Sequence, residues 1–586
     1  MNVVITGEGI VSAIGCDKTS VLQSLMECRS GIAEMQYLPS SHHELPVGEV
    51  KLSNDQLKAM LGIEPTQEVS RNTLLGMLAV RQALNESGVT AAAGKRIVLV
   101  SGTTVGGMDI TELHFDRFTT SDERPDCLLK HDCGSSTQDI ADHFGIFAEC
   151  TTISTACSSA ANALILGAKL LKAGEADMVV AGGTEALTRF HLNGFNSLMI
   201  LDHEPCRPFD AERAGLNLGE GAAFVVMESE DSARTRGADI HAWLTGYGNA
   251  CDAFHQTASS DNGEGAYLAM KEALRMAGLQ PSDIDYVNAH GTGTPNNDQS
   301  ESVALRRIFA DPLPPISSTK GFTGHTTSAS GSIETVICLL AMQHNFIPVN
   351  YGWKHQMPDG ITPVSPLSSL LSPLHHILCN SFGFGGNDSS LILSDRPAAS
   401  ADDCVENVDI QIAATVEITD EADLAEIKSY VKPLEARRMG TIMKSSLLAS
   451  LKALEQAGID TPDAIVTATS LGCLENTELL LLQLRDEGEA SLKPTYFMQS
   501  THNTLSSLIA IRTKCHGYNI TYSHGAASLD WALRDARLLL RSGKARNVLV
   551  GVHDETTPLY RQQMEKLGVS DLRPIYSKAI VLTCGR

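Results

Sequence analysis

The chemistry legible in this chain of 586 residues lies in four short segments. The first is Ser154-Thr155-Ala156-Cys157-Ser158-Ser159, which follows a strand-like run at 151–154 and opens a helix of small and apolar residues. A cysteine at such a turn sits at a helix N-terminus, where aligned amides favour a thiolate and can hold a developing oxyanion. Cys157 is therefore a candidate nucleophile, whereas a cysteine without partners is more often a buried core residue. The second segment is Val287-Asn288-Ala289-His290-Gly291-Thr292-Gly293-Thr294. It carries His290 out of a strand into a Gly/Thr turn, at the strand end where α/β folds place ligand-contacting groups. The third, Ser318-Thr319-Lys320-Gly321-Phe322-Thr323-Gly324-His325, precedes a helix containing Glu334. An ion pair between Lys320 and Glu334 that fixes the loop is a simpler account of this lysine than a catalytic amine. The fourth, Asn380-Ser381-Phe382-Gly383-Phe384-Gly385-Gly386-Asn387, interleaves Gly and Phe. Such a loop lets backbone approach a substrate while an apolar ring gates its path.

Elements that could position these groups follow from the alternation of short β-branched runs with helical periods. Strands are expected at 3–6, 97–101, 178–181, 222–227, 286–289 and 391–393, and helices at 72–87, 158–173, 265–277 and 330–343. This alternation predicts an α/β fold with buried sheets. Gly7 and Gly9, with Ser12, imitate a dinucleotide fingerprint, but no acidic ribose contact follows at a convincing place; a tight turn is the expected role. Small and breaker residues at 395–403 mark a linker, after which a second α/β unit begins near Val405.

That later unit echoes the first. Ala83-Leu84-Asn85-Glu86-Ser87-Gly88-Val89 is answered by Ala453-Leu454-Glu455-Gln456-Ala457-Gly458-Ile459, Gly106 by Gly472, and Leu170-Leu171-Lys172-Ala173-Gly174 by Leu539-Leu540-Arg541-Ser542-Gly543. Near-constant separation of these landmarks indicates a repeat. It sets Cys157 opposite Ala526 and Ser159 opposite Ser528, so the second copy has no thiol and no counterpart of the His290 and His325 segments. His502, Cys515 and His524 are reactive types in this copy, but no third group supports a second site.

Bulk properties bound the rest. A 43% hydrophobic content with 19% charged residues predicts a globular chain, long enough for more than one domain. A net charge of -24 opposes general binding to nucleic acid or to anionic membrane. The 14 cysteines include no CxxC pair, which gives no zinc signature and fits reduced thiols; no metal site is expected. The opening Met1-Asn2-Val3-Val4-Ile5-Thr6-Gly7 lacks a secretory pattern, and no apolar run reaches membrane-span length, so a soluble cytoplasmic protein is expected.

With Cys157, His290, the Lys320–His325 motif and the Phe382–Gly386 loop in this order, the chain resembles the β-ketoacyl-acyl-carrier-protein synthases of thiolase fold. The opening strand, Arg207-Pro208-Phe209-Asp210 and Gly219-Glu220-Gly221 are similar to that family as well. The resemblance spans roughly residues 1–395. It implies a layered αβαβα fold of duplicated halves, 1–230 and 231–396, a linker at 397–407 and a degenerate synthase-like half-domain at 408–586. It also implies the chemistry: Cys157 accepts an acyl group, and His290 and His325 stabilise the enolate formed when a malonyl-carrier loses carbon dioxide. Lys320 and Glu334 would order the His325 loop. The amides of Cys157 and Phe384 would form an oxyanion hole, with Phe384 gating the acyl tunnel and Thr292 and Thr294 meeting pantetheine. No cofactor is implied beyond the phosphopantetheine of an acyl carrier protein, the expected partner. A homodimer, or a pseudo-dimer with a synthase-like unit, is expected.

Two features depart from the family pattern: Thr326-Thr327-Ser328-Ala329-Ser330-Gly331 after His325, and Asn387-Asp388 in place of Thr-Asn. The two-histidine set fits elongation better than a priming synthase or a thiolase. Pro494-Thr495-Tyr496-Phe497-Met498-Gln499-Ser500-Thr501-His502-Asn503 resembles truncated synthase-like domains of aryl polyene pathways, so the pathway is of fatty-acid or aryl polyene/polyketide type. The competing readings are a carrier-binding or chain-length-setting scaffold, which absence of Cys157 or His290 would favour, and an acyltransferase or decarboxylase performing half the cycle.

Overall fold

The computed structural model describes residues 1–585 apart from 91–93, 366–372, 399–407 and 491. Among the described residues, fifteen strands join in one sheet made of three units. The first unit supplies β1 (Val3–Ser12), β2 (Ile97–Gly102), β3 (Glu149–Ile153), β4 (Met178–Glu185) and β5 (Gly221–Ser229). The second supplies β6 (Ala242–Cys251), β7 (Tyr286–Asn288), β8 (Ile316–Ser317), β9 (His376–Gly383) and β10 (Asn387–Ser394). The third supplies β11 (Ile410–Ile418), β12 (Ala464–Ala468), β13 (Tyr518–Tyr522), β14 (Asn547–Glu555) and β15 (Ile575–Cys584). Within each unit the spatial order is first, fifth, fourth, second, third strand. The repeat seen between the first and third units thus extends to the second. The first two units meet where β1 pairs antiparallel with β6; the first and third meet where β3 pairs antiparallel with β13.

Helices needed for the site are α1 (Arg71–Ser87), α2 (Cys133–Phe144), α3 (Ser159–Lys172), α4 (Arg189–Ser197), α5 (Ser330–His344), α6 (Thr441–Ala457), α7 (Thr504–Thr513) and α8 (Ser528–Arg541). The expected strands and helices occur, and several strands run longer than their β-branched cores. Gly7 and Gly9 do not form a turn. They lie inside β1, which is buried over all ten residues, and a Cβ at either would strike the α1 carbonyls of Ala83 or Ala79. Close helix-on-strand packing, not a turn or a nucleotide, explains these glycines. Of the expected linker at 397–407, all but Pro397 and Ala398 lies outside the described residues.

The same sharp turn recurs after the third strand of every unit. A short 3-10 turn (Ala156–Ser158, Thr327–Ala329, Gly525–Ala527) leads into α3, α5 or α8. Its first or preceding backbone is left-handed in each case, with φ +53° at Ala156, +41° at Thr327 and +50° at Gly525. In the first unit the Thr155 amide donates to Ser159 Oγ at 2.9 Å, and in the third the His524 amide donates to Ser528 Oγ at 2.7 Å. The segment after His325 is therefore the second unit's copy of the turn that carries Cys157.

Helices α3 and α5 lie against each other, and α3 is apolar on nearly every side. The counterpart α8 meets α3 across the seam and reads Ser-Leu-Asp-Trp-Ala-Leu-Arg-Asp-Ala-Arg, with Asp530 and Arg537 exposed and Ala526 at its turn exposed too. These polar residues leave part of the helix exposed to solvent. One buried cluster nevertheless runs across the seam, from Val100 and Leu164 to Val466, Ile520 and Trp531. The seam also buries charge: Lys169 of α3 pairs with Asp535 of α8, sits 4.3 Å above the Tyr518 ring, and Tyr518 Oη donates to Asp535 at 2.8 Å. Among the described residues no helix is long and apolar enough to cross a membrane.

Candidate active site

Cys157, His290 and His325 converge although they come from three separate segments. Their reactive atoms all lie within 4.8 Å of one another, and each residue is at most 5% exposed. Cys157 Sγ is 3.1 Å from His325 Nε2, and the two imidazole rings stand edge to face at 5.3 Å. Phe382 packs against His290 at 5.7 Å. The first turn aims Cys157 from the end of β3; His290 leaves β7; His325 precedes the equivalent turn of the second unit.

Each group is held from behind. Lys320 Nζ donates to the His290 carbonyl at 2.6 Å and pairs with Glu334 on α5. The lysine is 1% exposed, and its ammonium is taken up by Glu334 and the His290 carbonyl, as the ion-pair account expects. Ser330 Oγ lies 3.0 Å from His325 Nδ1. Glu301 accepts from the amides of His290 (2.8 Å) and Gly291 (2.7 Å). Neither Ser330 nor Glu301 was expected from sequence. The segment after His325, divergent in sequence, thus supplies a direct partner for that histidine. Asn387 Oδ1 accepts from Ser158 Oγ at 2.8 Å and from Asn162 Nδ2 at 2.9 Å, bracing the Cys157 turn. Its neighbour Asp388 is pushed well above the usual carboxylate range by burial and by the charges of Asp252 and Glu301.

Burial pushes the Cys157 thiol up to about 12, against downward pulls from the Phe384 amide and the Lys320 charge. This differs from the thiolate suggested by helix-terminus reasoning: desolvation outweighs the helix end in the closed site. Burial first, and the Lys320 charge next, hold His290 and His325 well below the usual histidine range. These shifts favour a thiol and neutral imidazoles, and a neutral imidazole still has one N–H to donate. Among the described residues, none hydrogen-bonds His290 Nδ1.

These groups open onto a cavity of about 420 Å³ lined by Cys157, both histidines, Phe195, Met199, Phe384, Thr292 and Thr294. The Thr292 and Thr294 hydroxyls are 2.9 Å apart, and Phe384 stacks on Phe195 at 5.6 Å. The cavity joins a protected thiol to a half-polar mouth, an arrangement suited to thioester exchange beside two preset oxyanion donors. His502, Cys515 and His524 form no second centre. Cys515 packs in the third unit's core, His502 Nε2 lies 3.8 Å from Cys133 Sγ, and His524 faces Cys150 and Thr152 across the seam.

Comparison with known proteins adds the following. Residues 1–233 match the family described as "Beta-ketoacyl synthase, N-terminal domain", and 241–354 the corresponding C-terminal domain. Residues 413–585 match a second N-terminal-domain description of the same synthases. The chain is 32% identical over 411 residues to 3-oxoacyl-[acyl-carrier-protein] synthase 2 of Coxiella burnetii (strain RSA 493 / Nine Mile phase I), covering 67% of this chain and 98% of that protein. Among solved structures it is similar to the ishigamide ketosynthase/chain length factor, with 30% identity and TM-score 0.64 over 67% of this chain and 99% of that one. The PfaC keto synthase-chain length factor shares the fold, at 16% identity and TM-score 0.79, over 100% of this chain and 78% of that one.

Proposed function

The chain belongs to the β-ketoacyl-acyl-carrier-protein synthase family, and from that premise we propose that Cys157, His290 and His325 carry a decarboxylative condensation on carrier-bound acyl groups. In the first half-reaction Cys157 Sγ adds to the acyl thioester carbonyl. The carbonyl oxygen turns anionic against the Cys157 and Phe384 amides, the bond to the carrier sulfur breaks, and the thiol proton leaves with the carrier thiol. In the second, the malonyl group loses carbon dioxide. The freed electron pair forms an enolate whose oxygen takes the N–H groups of His290 and His325. The enolate carbon attacks the acyl carbonyl, the new carbon–carbon bond forms, and Cys157 departs and regains a proton from solvent. Each imidazole keeps an N–H to turn toward the enolate oxygen. Lys320, Glu334, Glu301 and Ser330 orient the two histidines, and Thr292 and Thr294 at the mouth receive the pantetheine arm.

The observation that carries this reading is the 3.1 Å approach of Cys157 Sγ to His325 Nε2 with His290 alongside, in the wall of the cavity. An acyl carrier protein is the partner. The third unit pairs with the first edge to edge, in support of a pseudo-dimer within one chain. An aryl polyene-type acyl chain is the favoured cargo, on the resemblance of the 494–503 segment, and the cytosol the favoured place. Phosphopantetheine arrives with the substrate, and no resident cofactor takes part.

The test is intact-protein mass after incubation with a panel of acyl-carrier proteins, for wild type and Cys157→Ala, followed by malonyl-carrier and product analysis. Acylation of wild type only, then release of a β-ketoacyl product, is the expected result. If no donor acylates wild type, the condensing role falls and a carrier-binding scaffold takes its place.

A further inference from the structure

The turn Phe384–Gly386, which aims the Phe384 amide at Cys157, is held from both sides. On the second unit's side, the Gly385 amide donates to the Gln256 carbonyl and the Asp252 amide to the Gly386 carbonyl, both at 2.7 Å. On the other side the partners come from the third unit. Asn503 Nδ2 donates to the Phe384 carbonyl at 2.8 Å, and Ser507 Oγ to the Gly385 carbonyl at 2.9 Å. Both side chains are at most 2% exposed and sit one turn apart at the start of α7. The peptide unit joining Phe384 to Gly385 is thus gripped at both its carbonyl and its amide. The contact is close: Gly385 has φ +85°, and a Cβ there would stand 2.9 Å from Asn503 Nδ2 and 3.0 Å from Ser507 Cβ. The Phe384 ring is supported by the same unit, through Phe195, which packs on Phe497 at 5.1 Å.

The repeat sharpens the point. In the register that sets Gly174 opposite Gly543, Asn503 falls opposite Gly134, which has no side chain to offer, while Asp132 falls opposite Thr501. The third unit carries Asn503 where an outward donor is required.

Resting on the function proposed above, we propose that the third unit, itself without a thiol, is a positioning element for acyl transfer: Asn503 and Ser507 hold the Phe384 amide on the oxyanion of the acyl thioester. His290 and His325 are outside this grip, so acylation of Cys157 and decarboxylation of the malonyl group separate. In the full chain, Asn503→Leu is expected to slow acylation of Cys157 at saturating acyl-carrier by about 10-fold or more, the scale set by misplacing one oxyanion donor. The KM for the carrier and the rate of malonyl-carrier decarboxylation should stay within about twofold of wild type, a split that general loosening of the fold would not give. Ser507→Ala should act in the same direction and more weakly. Acylation by both variants at the wild-type rate, or an equal fall of acylation and decarboxylation, overturns the proposal. Should Asn503→Leu fail to fold, Ser507→Ala decides it on the same two rates. The outcomes are separable from the function itself: if wild type takes no acyl group the condensing role fails, whereas if wild type and variants acylate alike only the positioning role fails.

Discussion

Removing the carboxylate of Asp535 should expose how the seam is held. In wild type Lys169 and Asp535 form a buried pair between α3 and α8, with Tyr518 donating to the same carboxylate. Burial already draws the Lys169 ammonium below the usual lysine range, in spite of Asp535. Asp535→Leu leaves that ammonium without its partner, a change that typically costs about 3–5 kcal/mol. A ceiling exists, because the lysine can shed its proton instead. Doing so at pH 7 from a reference near 10.4 costs about 4.6 kcal/mol, so the expected loss lies between about 3 and about 4.6 kcal/mol. The sign with pH follows. A lysine held neutral in the fold but charged when unfolded binds fewer protons folded, so stability rises with pH up to the unfolded value. The deficit of Asp535→Leu should therefore shrink by up to about 1.4 kcal/mol per pH unit between pH 7 and 10. Equilibrium urea unfolding followed by far-ultraviolet circular dichroism, at several pH values, reads both numbers. The triple change Lys169→Met, Tyr518→Phe, Asp535→Leu should recover most of the stability, since apolar replacement of a buried pair is often neutral. A single variant losing less than about 1 kcal/mol, or a larger loss that is flat across this pH range, would refute the reasoning.

Three further outcomes are expected. Because burial pushes the Cys157 thiol up to about 12, its alkylation by iodoacetamide, mapped by mass spectrometry, should rise close to tenfold per pH unit from 7 to 10; a plateau below pH 8 would show a stabilised thiolate instead. Gly194→Ala would set a Cβ 2.1 Å from the Phe497 ring, and should lower stability by about 1–3 kcal/mol in thermal unfolding, with Phe497→Leu restoring part of it; no loss would mean that α4 and the 494–498 helix part easily. In a Cys157→Ala background, Ala526→Cys places a thiol on the exposed third-unit turn. It should react with iodoacetamide yet gain no acyl group from an acyl-carrier, and acylation there would contradict the need for the two histidines.

The sequence and the structure agree most closely where a local pattern dictates the outcome. The β-branched runs of β2, β4 and β5 and the long apolar period of α3 were readable because nearly every residue along them is buried. The repeat was readable from its glycines, since Gly88 and Gly458, Gly106 and Gly472, and Gly174 and Gly543 all adopt left-handed backbone in matching places. Gly7 and Gly9 were misread because a glycine that admits a neighbouring helix has the same local signature as one that turns the chain. Glu301 left no signal either: its role depends on a helix folding back onto amides ten and eleven residues earlier. The seam contacts, Asn503 to Phe384 and Tyr522 against Ile153, join residues more than a hundred positions apart, and no periodicity encodes them.

The edge-to-edge pairing of β3 with β13 within one polypeptide carries a consequence for assembly. Two separate subunits meeting along that edge would lose translational and rotational freedom worth about 4–15 kcal/mol, and would come apart on dilution. Fused units meet at an effective concentration set by their connection, on the order of millimolar for short flexible linkers. Their stoichiometry is fixed at one to one, and neither can exchange for a rival partner. The surface between them is thereby released from supplying affinity. It can accommodate a buried lysine, two cross-seam histidine–cysteine contacts and an amide spent on a distant carbonyl, groups that an association driven by apolar contact alone would disfavour.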